Sequence, residues 1–149
     1  MEELKQKIVD LFKSEDILTL ATVSPEGNPM SHPVAYVSEG AVLYFYTYNK
    51  SRKVQNILKH PNVAYSIYNT KLMAKGDQWD KILSAQVEGT ASIVPDEEKD
   101  KVVKMIIEKF PALKDSPPGQ NSAFVKLVPK KVQLSDYSKG FGHMDMVEF

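Results

Sequence analysis

Tyr44-Phe45-Tyr46-Thr47-Tyr48-Asn49-Lys50-Ser51-Arg52-Lys53 joins an alternating aromatic run to a helical one. Its first half reads as a strand, with Tyr44, Tyr46 and Tyr48 on one face and Phe45 and Thr47 on the other. Beyond Asn49, the spacing of Val54, Ile57 and Leu58 becomes helical. Ser51 is a good N-cap, yet Lys50, Arg52 and Lys53 crowd the first turn of the helix. The macrodipole is positive at that end, so each cation there costs roughly a few tenths of a kcal/mol. Three together point to an anion held among them. A phosphate is the natural candidate, because free N–H groups at a helix N-terminus already form an anion site. A solvated turn with its charges directed outward is the alternative reading of this stretch alone.

Working outward, Leu4, Ile8, Leu11 and Phe12 recur at helical spacing and predict an amphipathic helix over residues 2–13. Residues 17–23 are apolar and β-branched, a buried strand. Ser24-Pro25-Glu26-Gly27-Asn28-Pro29 is dense in turn formers and joins that strand to a second over 30–37 as a hairpin. Ser38-Glu39-Gly40 turns the chain into a third strand over 41–47. The second helix spans 51–59 and stops before Pro61, since proline disfavours helical geometry in the residue before it. A fourth strand follows over 63–68, then a loop over 69–80 carrying Trp79, then a long alternating strand over 82–94 with Gly89 at its middle, where a bulge or bend is expected. Asp96 is expected to cap a third helix with Val102 or Val103, Ile106, Ile107 and Phe110 on its core face. Pro111 ends it. Two further strands, 123–128 and 131–134, meet at Pro129. The tail over 135–149 shows no clear period. Hairpins are short and no βαβ alternation occurs, so the order predicts an α+β fold: an antiparallel barrel or strongly bent sheet with peripheral helices.

The 149 residues fit a single domain, 1–149, able to bury about 70% of its unfolded surface. With 19 basic and 19 acidic residues the chain has no net basic face to suggest nucleic acid as a partner. The absence of cysteine excludes disulfides, thiolate metal sites, iron–sulfur clusters and cysteine nucleophiles. No secretory leader and no apolar run of about 20 residues is visible, which predicts a soluble cytoplasmic protein without membrane contact. Gly140 and Gly142 lack the strand–turn–helix context of a dinucleotide fingerprint, and there is no P-loop. His32, His60 and His143 lack metal-ligand spacing, so no metal site is expected. The carboxylates Asp96, Glu97, Glu98 and Asp100 are explained by the helix dipole they begin. Met73, Met105, Met144 and Met146 read as gap fillers.

Read in order, Ala21-Thr22-Val23-Ser24-Pro25-Glu26-Gly27-Asn28-Pro29, Ser31-His32-Pro33-Val34, Tyr46-Thr47, Ser51-Arg52-Lys53-Val54-Gln55-Asn56-Ile57, His60-Pro61-Asn62-Val63 and Gln86-Val87-Glu88-Gly89-Thr90-Ala91 resemble the FMN-binding split barrel of the pyridoxamine 5′-phosphate oxidase superfamily. Val125-Lys126-Leu127-Val128-Pro129-Lys130-Lys131-Val132 is similar to its final hairpin. The resemblance implies a split β-barrel homodimer with two FMN sites across its interface. It assigns the flavin phosphate to Arg52 and Lys53, with Ser51 beside them, and flavin-lining positions to His32, Pro33, Val34, Tyr46 and Thr47. Gln86 would be contributed by the partner subunit. An Arg fork and a Lys point charge suit a phosphate carrying close to two negative charges.

The sequence departs from true pyridoxamine phosphate oxidases at the substrate. Val37 stands where they have a phosphate-binding lysine. The last hairpin continues Leu134-Ser135-Asp136 without their tryptophan, and the tail reads Lys139-Gly140-Phe141-Gly142-His143-Met144-Asp145 without their Arg-x-His. The resemblance therefore carries over an FMN site and no vitamin B6 site. It implies an FMN-dependent oxidoreductase taking electrons from a donor such as NADH or NADPH. A non-catalytic flavin-binding or sensing dimer, or the same barrel with a deazaflavin or haem, are the alternatives. His143 is the candidate proton donor, since an ordinary imidazole titrates near neutrality. The tail is expected either to fold over the partner's flavin or to pack as a plain terminus, and Trp79 either to cover a ring edge or to anchor its loop.

Overall fold

The structure, a computed structural model, describes residues 1–69 and 78–149. Met73 and most of the loop expected over 69–80 lie outside the described residues. Helix α1 (Glu2–Ser14) buries Ile8, Leu11 and Phe12 in the main core. β1 (Ile17–Val23) and β2 (Pro29–Ala35) form the expected hairpin, from Ile17 opposite Ala35 to Val23 opposite Pro29. The turn between them is closed by Ser24, whose N–H donates to the Asn28 carbonyl at 2.8 Å and whose Oγ accepts from the Asn28 N–H at 3.0 Å. Gly27 takes the left-handed conformation there, with φ of 91°.

The second strand ends sooner than the sequence pattern suggested. Tyr36 breaks it, and β3 (Val37–Glu39) leaves to pair instead with β4 (Val42–Tyr48). That single residue decides the architecture. With β5 (Asn62–Tyr68), β6 (Leu83–Ile93) and β7 (Ser122–Asp136), the antiparallel sheet runs β2-β1-β5-β6-β7-β4-β3. β2 and β3 are opposite edges of this sheet, yet only Tyr36 separates them in sequence. The sheet must therefore curl until its edges meet, giving a barrel split along the Tyr36 seam. Tyr36 is buried there and its hydroxyl donates to the Phe12 carbonyl at 2.6 Å. The Lys109 ammonium sits 4.4 Å from its ring centre, so the helices at both ends of the chain's first two-thirds close on one seam.

β7 is one continuous strand rather than two. Gly89 opposes Pro129, Glu88 opposes Lys131, and Lys130 is the extra residue of the bulge between them. A proline that cannot donate to the ladder is thus accommodated at a bulge. The bulge switches which parity faces inward: Val125 and Leu127 point into the core before it, Val132 and Leu134 after it. The tail also departs from expectation, because β8 (Met144–Glu148) pairs with the second half of β7. Helix α3 (Lys99–Lys109) begins after a 3₁₀ turn at Asp96–Glu98, so Asp96 is not its cap. Val102 and Ile106 of α3 cover the outer face of β4 and the first half of β7, packing on Tyr44 and Phe124. Helix α2 (Arg52–Lys59) lies against β1 and β6. Among the described residues no helix is long and apolar enough to cross a membrane.

Candidate functional site

Helix α2 begins as its sequence predicts. Ser51 caps it, its Oγ accepting the Val54 N–H at 3.4 Å, and no acidic side chain occupies the first turn. Val54 and Ile57 anchor the helix in the barrel wall, which leaves Arg52 exposed and Lys53 half-exposed at its positive end. No ion pair neutralises either cation among the described residues, whereas Lys7, Lys99, Lys101, Lys109 and Lys139 each meet a carboxylate. Between this helix and the β1–β2 turn lies a cavity of about 380 Å³ lined by Ser24, Glu26, Asn28, Met30, Arg52 and Asn56. The Arg52 side chain, a dipole-positive helix end and a concave, partly polar surface coincide there, with Lys53 the next residue on the helix.

Beside it is a polar cluster in an otherwise apolar wall. Thr22 of β1 and Asn56 of α2 are almost completely buried. The Asn56 side-chain nitrogen donates to Thr22 Oγ1 at 2.9 Å and also contacts Met30 Sδ at 3.2 Å. His32 Nε2 lies 2.9 Å from the same hydroxyl. Buried amide and hydroxyl groups are tolerated only when hydrogen-bonded, and these two satisfy one another. Burial pushes the His32 imidazole below its ordinary range, and the charges of Lys53 and Arg52 push it further the same way. Both effects favour the neutral imidazole, and His32 is electrostatically in touch with both cations. Thr22 and Asn56 were not singled out from sequence. The available signal was an asparagine between Val54 and Ile57, on the face of α2 that turns to the core.

The other expected residues divide between the two faces of the sheet. Val34 packs against the main core from the same side of β2 as His32, while Pro33 is exposed on the outer face. Thr47 shares the inner parity of Phe45, whereas Tyr46 packs with the α3 cluster, its ring 6.1 Å from that of Phe124. The structure thus does not bring Tyr46 and Thr47 to one surface.

Gln86 lies apart from the α2 cluster. Cross-strand register aligns Pro33, Thr19, Ser66, Gln86, Gln133 and Met146 in one row across the outer face of six strands. This face is concave, enclosing a cavity of about 670 Å³ that Gln86 and Met146 line. Among the described residues no helix covers it, and Ile17, Tyr68, Met144 and Met146 are all about half exposed on it. Met144 and Met146 are therefore surface residues, not gap fillers, while Met105 does pack against the α3 cluster as expected.

The tail places His143 Nε2 3.0 Å from Asp145 Oδ2, with Lys139 Nζ 3.6 Å from the same oxygen. The hydrogen bond from His143 holds the Asp145 carboxyl below the usual carboxylate range. Nearby, Phe141 stands between Gly140 and Gly142, 80% exposed, with its ring 5.6 Å from Trp79 and 5.2 Å from Tyr137. Trp79 and the tail therefore share one exposed aromatic cluster, and the tail is a paired strand preceded by a displayed loop.

The family model described as "Pyridoxamine 5′-phosphate oxidase" matches residues 4–136. No curated protein matches the sequence. Among solved structures, a heme-binding protein from Mycobacterium smegmatis superposes with a TM-score of 0.81 at 19% identity, covering 97% of this chain and 57% of its own. General Stress Protein 26 from Bacillus anthracis str. Sterne superposes with a TM-score of 0.70 at 25% identity, covering 99% of both chains. A structure named F420 Reductase gives a TM-score of 0.63 at 24% identity over 81% of this chain and 91% of its own. The chain thus spans little more than half of the first of these proteins.

Proposed function

The chain belongs to the pyridoxamine 5′-phosphate oxidase family, and from that premise we propose that it is a cytoplasmic, homodimeric FMN-binding oxidoreductase. The observation that supports this reading is the α2 N-terminus, where Arg52 and Lys53 stand without an ion-pair partner among the described residues and Arg52 lines a polar cavity. That constellation fits the phosphate of FMN: Ser51 fixes the helix start, the Arg52 guanidinium can fork onto two oxygens, and Lys53 adds a point charge. His32, Pro33 and Val34 lie on the adjoining edge strand, and Tyr46 and Thr47 on the strand that leads into α2. Gln86 belongs to another face of the same chain. A second copy seated on the half-apolar outer sheet would bring its Gln86 toward the first copy's α2, and a concave sheet face with no covering helix among the described residues supports that pairing. Bound FMN would supply the redox chemistry. The chain's part is to fix the phosphate, limit water on one side of the ring and offer proton-exchanging groups. His143, oriented by Asp145, is the proposed proton donor, and NADH or NADPH the proposed electron source.

The protein purified without additives should be yellow and release stoichiometric FMN on denaturation. A colourless protein that ignores added FMN sinks the proposal. Anaerobic bleaching by NADH or NADPH, followed by turnover with an electron-poor acceptor, separates an enzyme from a passive flavin-binding or sensing dimer. A second reading keeps the barrel and exchanges the ligand, supported by the heme-binding and F420-named proteins among those of similar fold. A Soret band on haemin titration, or tight binding of a deazaflavin in place of FMN, would favour it. The missing counterparts of the substrate lysine, tryptophan and Arg-x-His argue against vitamin B6 as the substrate.

A further inference from the structure

The cluster of Thr22, His32 and Asn56 has an internal asymmetry. Asn56 has only donors on its side-chain nitrogen, and that nitrogen points at Thr22 Oγ1. The hydroxyl keeps its own proton free to donate, and the group within reach is His32 Nε2 at 2.9 Å. The neutral imidazole thus accepts at Nε2 and carries its proton on Nδ1. A hydroxyl oxygen has two lone pairs. If His32 takes a second proton, Nε2–H can donate back to Thr22 Oγ1 while Asn56 continues to donate to it. The cluster can hold either charge state by rotating one hydroxyl, without moving a strand or a helix.

Burial favours the neutral state first, and the charges that add to it lie on α2. The charged groups acting on His32 are Lys53 and Arg52. β1 presents Thr22 and no titratable side chain. The β1–β2 turn presents Glu26, which lines the cavity that Arg52 lines. Asn56 stands three residues beyond Lys53 and four beyond Arg52, one helical turn along the same helix. The hydrogen-bonded bridge therefore fixes the histidine relative to the helix end that carries both cations.

We propose that the Thr22–Asn56 bridge makes His32 the proton partner of the α2 anion site, so that binding of a phosphate monoester at Arg52 and Lys53 is accompanied by uptake of a proton at His32. This rests on the reading of α2 as the FMN phosphate site and adds a regulation of it. In the ligand-free protein, two cations with no ion-pair partner among the described residues repel a proton from the imidazole. A ligand with close to two negative charges cancels that repulsion and replaces it with attraction. Linkage requires the converse: acidification through the range where the liganded imidazole titrates strengthens binding by up to about tenfold per pH unit, the limit for one proton. Thr22 and Asn56 act as positioning residues: Thr22 Oγ1 meets His32 Nε2, and Asn56 holds that hydroxyl in place.

With only three histidines in the chain, the ring signals can be followed by NMR through a pH titration, first without ligand and then with saturating FMN. The expected result is a His32 midpoint below the ordinary imidazole value in the free protein and higher by on the order of one unit with FMN. Riboflavin, which lacks the phosphate, should move His32 by much less. In Thr22→Val the FMN-induced shift should shrink, and Thr22→Ser should restore it. FMN that binds tightly and leaves the His32 midpoint unmoved overturns this inference and leaves the flavin reading standing. A protein that binds no FMN overturns that reading and this inference together. Calorimetry at pH 6.5 in two buffers of different ionisation enthalpy gives a second measure: His32→Gln should take up fewer protons per FMN than the unsubstituted protein. Equal uptake by both also refutes it.

Discussion

Removing the two cations at the start of α2 should weaken FMN binding and strengthen the ligand-free fold at the same time. In Arg52→Ala/Lys53→Ala the ligand loses two charge-assisted contacts, each worth about 1.5–3 kcal/mol when desolvated. Arg52 is exposed and Lys53 half-exposed, so the lower end applies. The pair should contribute roughly 3 kcal/mol, about two orders of magnitude in Kd. Riboflavin, identical except for the phosphate, should change by less than about threefold. The free protein moves the other way. Neither side chain has a carboxylate partner to lose among the described residues, and each repels the helix dipole by about 0.3–1 kcal/mol. Their removal should therefore stabilise the free fold by about 1 kcal/mol, or about 2–4 °C in Tm for a chain of this size. Fluorescence quenching of both flavins and thermal unfolding of ligand-free protein give the two signs independently. Added salt should weaken FMN and spare riboflavin. Equal losses for FMN and riboflavin, or a lower Tm without ligand, would mean that the pair is structural and that the charge argument is wrong.

The outer sheet face predicts an assembly: Met146→Asp should convert a dimer into a species of 16.8 kDa by light scattering and reduce FMN affinity although α2 is untouched; an unsubstituted protein that is a monomer and still binds FMN would refute the shared site. Gly89→Ala should be among the most damaging small substitutions, since a Cβ there would lie 2.5 Å from the Val128 carbonyl oxygen and 3.2 Å from Tyr65 Cε1. A backbone oxygen cannot step aside, so a loss of about 2–3 kcal/mol and about 5–10 °C in Tm is expected by thermal unfolding. Acid stability should depend on Asp136: burial alone would raise its carboxyl, but hydrogen bonds from Lys7 and Ser138 hold it below the usual range. The stability this provides is present above the ordinary carboxylate range and lost as the pH falls through the lowered one. Urea unfolding between about pH 2 and 5 should show a flatter decline for Asp136→Asn, and for Lys7→Met a decline that starts at higher pH. His143→Gln should lower turnover by about a hundredfold at unchanged FMN affinity if the imidazole donates the proton; unaltered turnover would return the tail to a structural role.

Most strands were legible because one of their faces meets the core. Residues 17–23 and 63–68 alternate, and the turn Ser24-Pro25-Glu26-Gly27-Asn28-Pro29 announces its hairpin by composition. What sequence did not reveal is long-range. Nothing local marks Tyr36 as the seam where one edge of the sheet hands the chain to the other. Pro129 reads as a strand breaker because its partner Gly89, which makes room for it, is forty residues away. The site shows the same division. Arg52, Lys53 and Ser51 were readable as a local electrostatic conflict. Thr22 and Asn56 were not, since a buried threonine and a buried asparagine acquire meaning only when folding puts them 2.9 Å apart.

The missed strand β8 is the most informative failure. Its sequence, Met144-Asp145-Met146-Val147-Glu148, does alternate, but in the wrong sense for a strand with water outside. The methionines point outward and are about half exposed, while Asp145 and Val147 take the inward positions opposite Leu134 and Val132. In a solitary sheet this arrangement wastes two large apolar side chains on solvent, at roughly 1.5–3 kcal/mol of forgone burial each. The same inversion continues across the row: Ile17 and Tyr68 are outward and exposed on neighbouring strands. Large apolar side chains directed outward on three strands, β1, β5 and β8, are what a covered sheet face favours. Glu88 and Lys131, directly opposite on the same face, provide both signs of charge within a patch that a two-fold axis would set against itself. The pattern that hid β8 is thus the pattern expected if a second copy completes the sheet's environment, and Gln86 lies on that same face.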